Sequence, residues 1–229
     1  MYIALASGLV VAQQADTLYA DRENLASAKQ AAQLWAADLR RDPSAFDSAW
    51  KLARACYWLG GHVAEAERRS FLEQGMSAAQ QAAQIKPDRP EGHFWMAANM
   101  GELAEHFGLR LGLKYRGPIR SELETVLKLD PAYLEGSADR ALGRYYHELP
   151  SLFGGSMSRA EQHLRSSLSY DENSTISRYF LAELLVDAKR VAEAKTELKR
   201  VIDAPLSPDF APEDRDYKKK AAELLQQLH

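Results

Sequence analysis

The sequence contains a single cysteine, Cys56, among its 229 residues, so no disulfide can form within the chain. Cys56 lies among apolar residues in a helical pattern, which predicts a buried and unreactive thiol. The six histidines include no HExxH motif, and neither a GxSxG motif nor a glycine-rich nucleotide loop is present. We therefore predict no metal, no other cofactor and no enzymatic activity.

Three other scarcities limit the class of protein. Runs of valine, isoleucine and threonine are nearly absent, while alanine, leucine, glutamate, glutamine, lysine and arginine dominate, so the composition predicts an all-α chain. A formal net charge of -3 gives no general attraction to nucleic acid, which removes nucleic acid from the expected partners. No apolar run is long enough to span a bilayer, and we predict no transmembrane helix.

The first twelve residues are apolar and small. Residues 2–12, YIALASGLVVA, are typical of the apolar core and cleavage site of a secretory signal peptide, although no lysine or arginine precedes them. Residues 1–12 are therefore either a signal-peptide remnant or a helix that packs on the rest of the chain. The first reading predicts a periplasmic protein and the second leaves a cytoplasmic one open.

A repeat organises the chain. The stop signals Asp42-Pro43, Lys86-Pro87 and Asp130-Pro131 stand 44 residues apart, and each follows an apolar helical stretch. Two amphipathic helices fit between successive signals. The spacing predicts a series of helix-turn-helix repeats.

The residues inside these units resemble the tetratricopeptide repeat. Arg140 to Tyr146 matches its Leu-Gly-x-x-Tyr core, and Leu181-Ala182-x-x-Leu185 matches it again. Trp50 and Tyr57 fit the large-residue and tyrosine positions, and Phe94-x-x-Ala97-Ala98-x-x-Gly101 is a further instance. The resemblance implies an α-solenoid of tetratricopeptide-like repeats over one domain, residues 13–229, closed by a C-terminal capping helix.

The periodicity also places the helices and their first turns. Pro118 and Pro212 suit first-turn positions, and Ser158-x-x-Glu161 and Asp88-x-x-Glu91 suit capping boxes. Insertions after Gly101 and Leu149 enlarge two repeats, and such insertions often lie on a binding face. The predicted helices are 13–22, 25–41, 45–59, 63–85, 90–107, 118–129, 132–148, 157–169, 175–188, 191–203 and 212–228.

The enlarged repeats resemble a particular family, the T-component of TRAP transporters (TatT-like proteins). The resemblance spans nearly the full chain and is carried by WKLARACYWLG, EGHFWMAANMGELAEHFG, ALGRYYHELPSLFGGS and the C-terminal helices. It implies a periplasmic scaffold with a pore or groove that associates with the substrate-binding subunit of an organic-acid transporter. A remoter resemblance is to the tetratricopeptide domain of microtubule-dynamics regulators.

The first helix of each repeat should line a groove. Arg140 and Arg144 are one turn apart, so a carboxylate is expected near them: either Glu102 and Glu183 of the chain itself, or a ligand carboxylate flanked by Trp95 and Tyr179. The candidate groove residues are Lys51, Trp58, Trp95, Asn99, Glu102, Arg140, Arg144, His147, Tyr179 and Glu183.

Two functions fit these expectations. The first is an accessory protein that associates with a transporter subunit and binds or passes a small organic acid. The second is an interaction scaffold that clamps a peptide or a partner helix without any small ligand. A closed cavity favours the first and an open trough the second. Homo-oligomerisation is compatible with both.

Overall fold

The computed structural model describes residues 13–228, and the prediction of an all-α chain is confirmed. The signal-peptide prediction concerns residues 1–12, which lie outside the described residues, so periplasmic export stays a prediction. The helices are α1 (residues 13–20), α2 (Leu25–Arg41), α3 (Phe46–His62), α4 (Glu65–Ile85), α5 (Pro90–His106), α6 (Leu109–Leu129), α7 (Ser137–Glu148), α8 (Met157–Leu168), α9 (Thr175–Asp187), α10 (Val191–Asp203) and α11 (Ala211–Gln227).

The sequence predicted one repeat domain, and the chain forms two compact units that divide between Leu129 and Asp130. In the first unit, α2 packs on α3, α3 on α4, α4 on α5 and α5 on α6, while α3 also contacts α5. In the second unit, α7 packs on α8 and α9 on α10, and α9 contacts α7 and α11. Each unit therefore repeats the antiparallel helix pair that the 44-residue spacing predicted.

Close backbone packing joins α4 to α5. Gly92 lies so near α4 that a Cβ atom on it would stand 2.4 Å from the backbone nitrogen of Ala83. Gly75 approaches α5 similarly, because a Cβ atom there would stand 2.3 Å from Oδ1 of Asn99. Leu72 and Leu103 are completely buried beside this contact. The core of the first unit is therefore built from small residues as well as large ones.

Several predicted helix starts are wrong. Helix α6 begins at Leu109, so Pro118 lies inside the helix and not in its first turn. Helix α7 begins five residues later than predicted, at Ser137, because residues 131–136 form turns in which Leu134, Glu135 and Gly136 all have positive φ. Pro212 does lie in the first turn of α11, as predicted.

The predicted capping boxes are also corrected. Ser156, and not Ser158, caps α8, and its side chain accepts a hydrogen bond from the backbone nitrogen of Arg159. Helix α5 starts after Arg89 and has no side-chain cap. A cap at Ser156 satisfies a free N–H group of the first turn two residues earlier than the sequence motif indicated.

Cys56 is completely buried in α3, as predicted. Burial raises the pKa of its thiol to about 12, so the thiolate is not populated near neutral pH. None of the described helices combines the length and apolarity that a membrane span would need.

Candidate functional site

Helix α3 has one accessible row of side chains. Its members recur with helical spacing at Trp50, Arg54, Tyr57 and Gly61, all of which are partly or fully exposed. The opposite side of α3 packs on α4, where a Cβ atom on Gly60 would stand 2.3 Å from Leu72. The row therefore lies on the side of α3 that faces away from α4.

Helix α5 has a matching row at Ala98, Gly101 and Glu105, again opposite the side that contacts α4. A Cβ atom built on Gly101 or on Gly61 meets nothing within 4 Å. Because α3 and α5 are in contact, the two rows are neighbours in the first unit. The α3–α5 face consists of Trp50, Arg54, Tyr57, Gly61, Ala98, Gly101 and Glu105.

The aromatic side chains of this face are held in place by other rings and by a guanidinium group. The Tyr57 ring lies 5.6 Å from the ring of Trp95, measured between centroids. The guanidinium carbon of Arg54 stands 4.2 Å from the ring centroid of Tyr19 and 5.0 Å from that of Trp50. Such contacts hold Arg54 and the rings in one arrangement, so the face is ordered before any partner arrives.

Lys51 borders this face and does not offer a free charge to it. Its ammonium group makes a salt bridge with Asp16 of α1 at 2.8 Å. Side-chain exposure is 20% for Lys51 and 45% for Asp16, so the pair is only partly screened by solvent. The pair connects α1 to α3 at the edge of the α3–α5 face.

Three predicted groove residues of the first unit lie inside its packing, and their predicted positions are corrected. Trp58 is buried, and its indole nitrogen donates to the carbonyl oxygen of Arg22 at 2.8 Å. Asn99 is completely buried and donates to the carbonyl oxygens of Ala53 at 3.1 Å and Trp95 at 2.8 Å. Trp95 itself is 7% exposed. Asn99 and Trp95 join α3 to α5, Trp58 joins α3 to the segment between α1 and α2, and none of the three lines an open groove.

The predicted register was one residue too far along in both helices. In α3 the predicted groove residues Lys51 and Trp58 each follow an accessible residue, Trp50 or Tyr57. In α5 the predicted groove residues Asn99 and Glu102 likewise follow the accessible Ala98 and Gly101. The buried small residues Ala53 and Ala97 mark the true register and were the signal available in the sequence.

Glu102 is partly exposed beside the face, and its carboxylate pairs with His106 at 3.2 Å, one turn along α5. The sequence had offered Glu102 as an internal partner for the arginines of α7. Its observed partner within the first unit is a histidine of its own helix.

In the second unit the predicted groove residues are partly exposed. Arg144 lies on the accessible row of α7, and its guanidinium group pairs with Glu183 of α9 at 2.6 Å and with Glu148 at 3.1 Å. His147 continues the row, and its Nε2 atom lies 2.9 Å from Asp187 of α9. Of the two partners that the sequence left open for Arg144, an internal carboxylate, Glu183, is the one observed.

Tyr179 stands beside this network on α9. Burial, followed by the charge and hydrogen bond of Glu183, raises the pKa of its hydroxyl group to about 12. Its ring lies 5.4 Å from the ring of Tyr217 on α11. Tyr179 thus stays protonated and helps to hold α9 against α11.

The surroundings of Arg140 differ from those of Arg144. It lines a cleft of about 230 Å³ at the start of α7, together with the acidic residues Glu135, Asp171 and Asp214. The sequence left two partners open for the two arginines, internal carboxylates or a ligand carboxylate. Arg144 is already paired and Arg140 lies among carboxylates, so this arrangement does not form an anion-binding pair.

The part of the chain that the structure describes contains no group of three or more histidine, cysteine, aspartate or glutamate side chains placed to hold a metal. The contacts of the predicted groove residues are aromatic packing and ion pairs within each unit. Such an arrangement can bind another surface and offers no assembled nucleophile and base.

Comparison with solved structures confirms the repeat fold. A thermophilic tetratricopeptide-repeat protein of Thermus thermophilus superposes with a TM-score of 0.72 and 20% identity, over 96% of this chain and 99% of the other. MamA superposes with a TM-score of 0.53 and 13% identity, over 87% of this chain and 95% of the other. At these identities the likeness concerns the fold alone.

Sequence relatives point to one family. Regulator of microtubule dynamics protein 3 of Xenopus laevis is 28% identical over 104 residues, which make up 45% of this chain and only 22% of that protein. These relatives support the remoter of the two predicted resemblances and give no support to the TRAP transporter T-component. The sequence model described as regulator of microtubule dynamics protein 1-3 matches residues 11–153, more than half of the chain. The chain therefore belongs to this family of tetratricopeptide-like proteins.

Proposed function

We propose that the chain is a non-catalytic scaffold that binds a protein partner through the α3–α5 face and acts in the regulation of microtubule dynamics. The observation that carries the proposal is the composition of this face, which sets two aromatic side chains beside two bare stretches of helix backbone. The microtubule role comes from the name of the Xenopus relative and is extended to this chain as part of the proposal.

The aromatic side chains favour a protein partner. Trp50 and Tyr57 are partly exposed, and tryptophan, tyrosine and arginine are the residues that most often dominate the energy of protein interfaces. Arg54 stacks on Trp50 and adds hydrogen-bond donors to the same row. Because other rings already restrain these side chains, they lose little conformational entropy when a partner binds.

The small residues favour a helix or an extended peptide as the bound element. Gly61, Ala98 and Gly101 leave open space above the backbones of α3 and α5. A partner backbone can approach such a strip closely, while its larger side chains contact Trp50 and Tyr57. This is the clamping of a peptide or partner helix that the sequence analysis offered as the second function.

The transporter function depends on an organic-acid site, and the second unit offers little support for one. Arg144 pairs with Glu183 and Glu148, and Arg140 lies beside Glu135. A ligand carboxylate would have to displace internal carboxylates that are already in place. The association with a transporter subunit or with a small organic acid is therefore the weaker proposal.

The proposal is tested by a substitution that fills the open space above Gly101 without crowding the core. In Gly101→Leu the new side chain enters empty space, so the helical content should be kept while a partner is kept away from α5. The full chain is mixed with microtubules and sedimented, and we expect Gly101→Leu to weaken co-sedimentation by about tenfold or more.

The matched control is Ala37→Leu, which adds the same side chain at an exposed position of α2 outside the α3–α5 face. It should bind like the unmodified chain. Equal binding by all three proteins would contradict the α3–α5 face as the docking surface. No binding by the unmodified chain would contradict a direct microtubule partner.

A further inference from the structure

A second surface of the chain has a distinct chemistry. The cleft of about 230 Å³ in the second unit lies where the segments before α7, α9 and α11 come together. It is lined by residues of all three segments: Glu135, Arg140, Asp171, Asn173, Ser174, Ile176, Pro205, Leu206, Ser207, Pro208, Phe210 and Asp214. The lining combines carboxylates with apolar side chains, which differs from the surfaces described above.

The cleft is held open by a buried carboxylate. Asp214 is 5% exposed and accepts hydrogen bonds from the Thr175 hydroxyl at 2.6 Å and from the backbone nitrogen of Ser207 at 2.7 Å. These bonds fix the loop between α10 and α11 to the start of α9. The walls are therefore set before a ligand enters.

The charge of the cleft is unbalanced. Glu135 lies within electrostatic range of Asp171, Asp209 and Asp214, with Arg140 as the cation that opposes them. Burial and then the charge of Asp171 raise the pKa of the Glu135 carboxyl above its usual value. A positive charge placed here would be attracted, whereas the carboxylate ligand predicted for Arg140 would be repelled.

The apolar wall indicates what carries that charge. Ile176, Pro205, Leu206 and Phe210 face the same space as the carboxylates, and Leu206 is 46% exposed. A lysine side chain has a long aliphatic stem and a compact ammonium head with three donors, which suits one apolar wall and several separate acceptors.

We infer that this cleft binds a lysine side chain of a partner protein, with the ammonium group at Glu135 and Asp171 and the stem against Leu206 and Phe210. The inference rests on the proposed function, because it adds a point of contact for a protein partner. It goes beyond the α3–α5 face in naming the chemistry that the partner must present at the second unit.

The test uses the full chain and a defined probe, acetyl-Gly-Lys-Gly-amide, at constant ionic strength. Binding is followed by the amide resonances of residues 134–136 and of Leu206, Ser207, Asp209 and Phe210. We expect saturable shifts confined to these segments, and no such shifts with the same peptide carrying norleucine, which keeps the stem and lacks the ammonium group. Glu135→Gln should weaken the binding about tenfold, as expected for the loss of a hydrogen bond to a charged group.

The matched control is Glu223→Gln, which makes the same change on α11 outside the cleft and should leave the affinity unchanged. Equal shifts with the norleucine peptide, or equal weakening by both variants, would overturn the inference. So would shifts at these residues with Mg²⁺ alone and none with the lysine peptide. If the peptide fails while Gly101→Leu still blocks co-sedimentation, the lysine cleft is wrong and the proposed function stands.

Discussion

Replacing Gly92 by alanine should lower the free energy of unfolding by about 3 kcal/mol, at the upper end of the usual cost of overpacking. The new Cβ atom would stand 2.4 Å from the nitrogen and 2.9 Å from the Cα atom of Ala83. These are backbone atoms in the last turn of α4, so they cannot rotate away as a side chain would. The steric overlap is relieved only if α4 and α5 move apart, and the buried side chains between them then lose contact.

Gly101→Ala is the matched control, because it makes the same change in the same helix where a Cβ atom meets nothing. It should raise the free energy of unfolding by about 0.5 to 1 kcal/mol through helix propensity alone. Urea denaturation followed by circular dichroism measures both changes. Similar effects of the two variants would mean that α4 and α5 do not approach as closely as described.

Removing Arg178 should be the most damaging single change in the second unit, with a loss of about 3 kcal/mol. Its guanidinium group pairs with Glu197 at 2.5 Å, and the two side chains are only 13% and 11% exposed. In Arg178→Ala the Glu197 carboxylate would stay buried with much less compensation. Arg178 also donates to the carbonyl oxygen of Glu172, so the turn before α9 loses a contact as well.

A second arginine on the same carboxylate provides the control. Arg200 also pairs with Glu197, at 2.8 Å, and is 57% exposed, so Arg200→Ala should cost less than about 1 kcal/mol. The double variant Arg178→Met with Glu197→Leu should recover most of the stability, because no charge is then left buried. Equal losses for the two arginine variants in thermal or urea unfolding would show that burial does not govern this pair.

The sequence predicted most of the helices because their signals are local. Apolar periodicity and the 44-residue spacing of the stop signals placed α2, α5 and α10 within a residue or two of their observed bounds. The start of α6 was missed because proline is normally a helix-boundary signal. Here the helix continues through Pro118, with Tyr115 and Ile119 buried on either side of it.

The binding face was harder to predict because register depends on packing across helices. In α3 the large aromatic residues Trp50 and Tyr57 resemble core positions, yet the core positions are filled by Ala53 and Cys56. Close approach to α4 leaves room only for small side chains there. In α7 the glycine of the repeat motif marks a helix contact directly, because Gly143 packs on Leu164 of α8.

One charged contact of the second unit could be predicted from the sequence and another could not. Glu183 was named from the sequence as a partner for the arginine pair because helical rows in neighbouring repeats face each other, and it pairs with Arg144. The acidic surroundings of Arg140 come from two segments distant in sequence, which contribute Asp171 before α9 and Asp214 in the first turn of α11. No local pattern brings those residues together, so the sign of the ligand expected there could not be derived from the sequence.

The central claim is that a protein partner lies on the α3–α5 face, and direct contact is the measurement that tests it. A benzophenone amino acid placed at Gly61, where there is open space, would be irradiated in the presence of microtubules, with the same group at Ala37 for comparison. We expect a covalent adduct with tubulin from position 61 and none from position 37. Adducts from position 37 alone, or equal adducts from both, would contradict the claim.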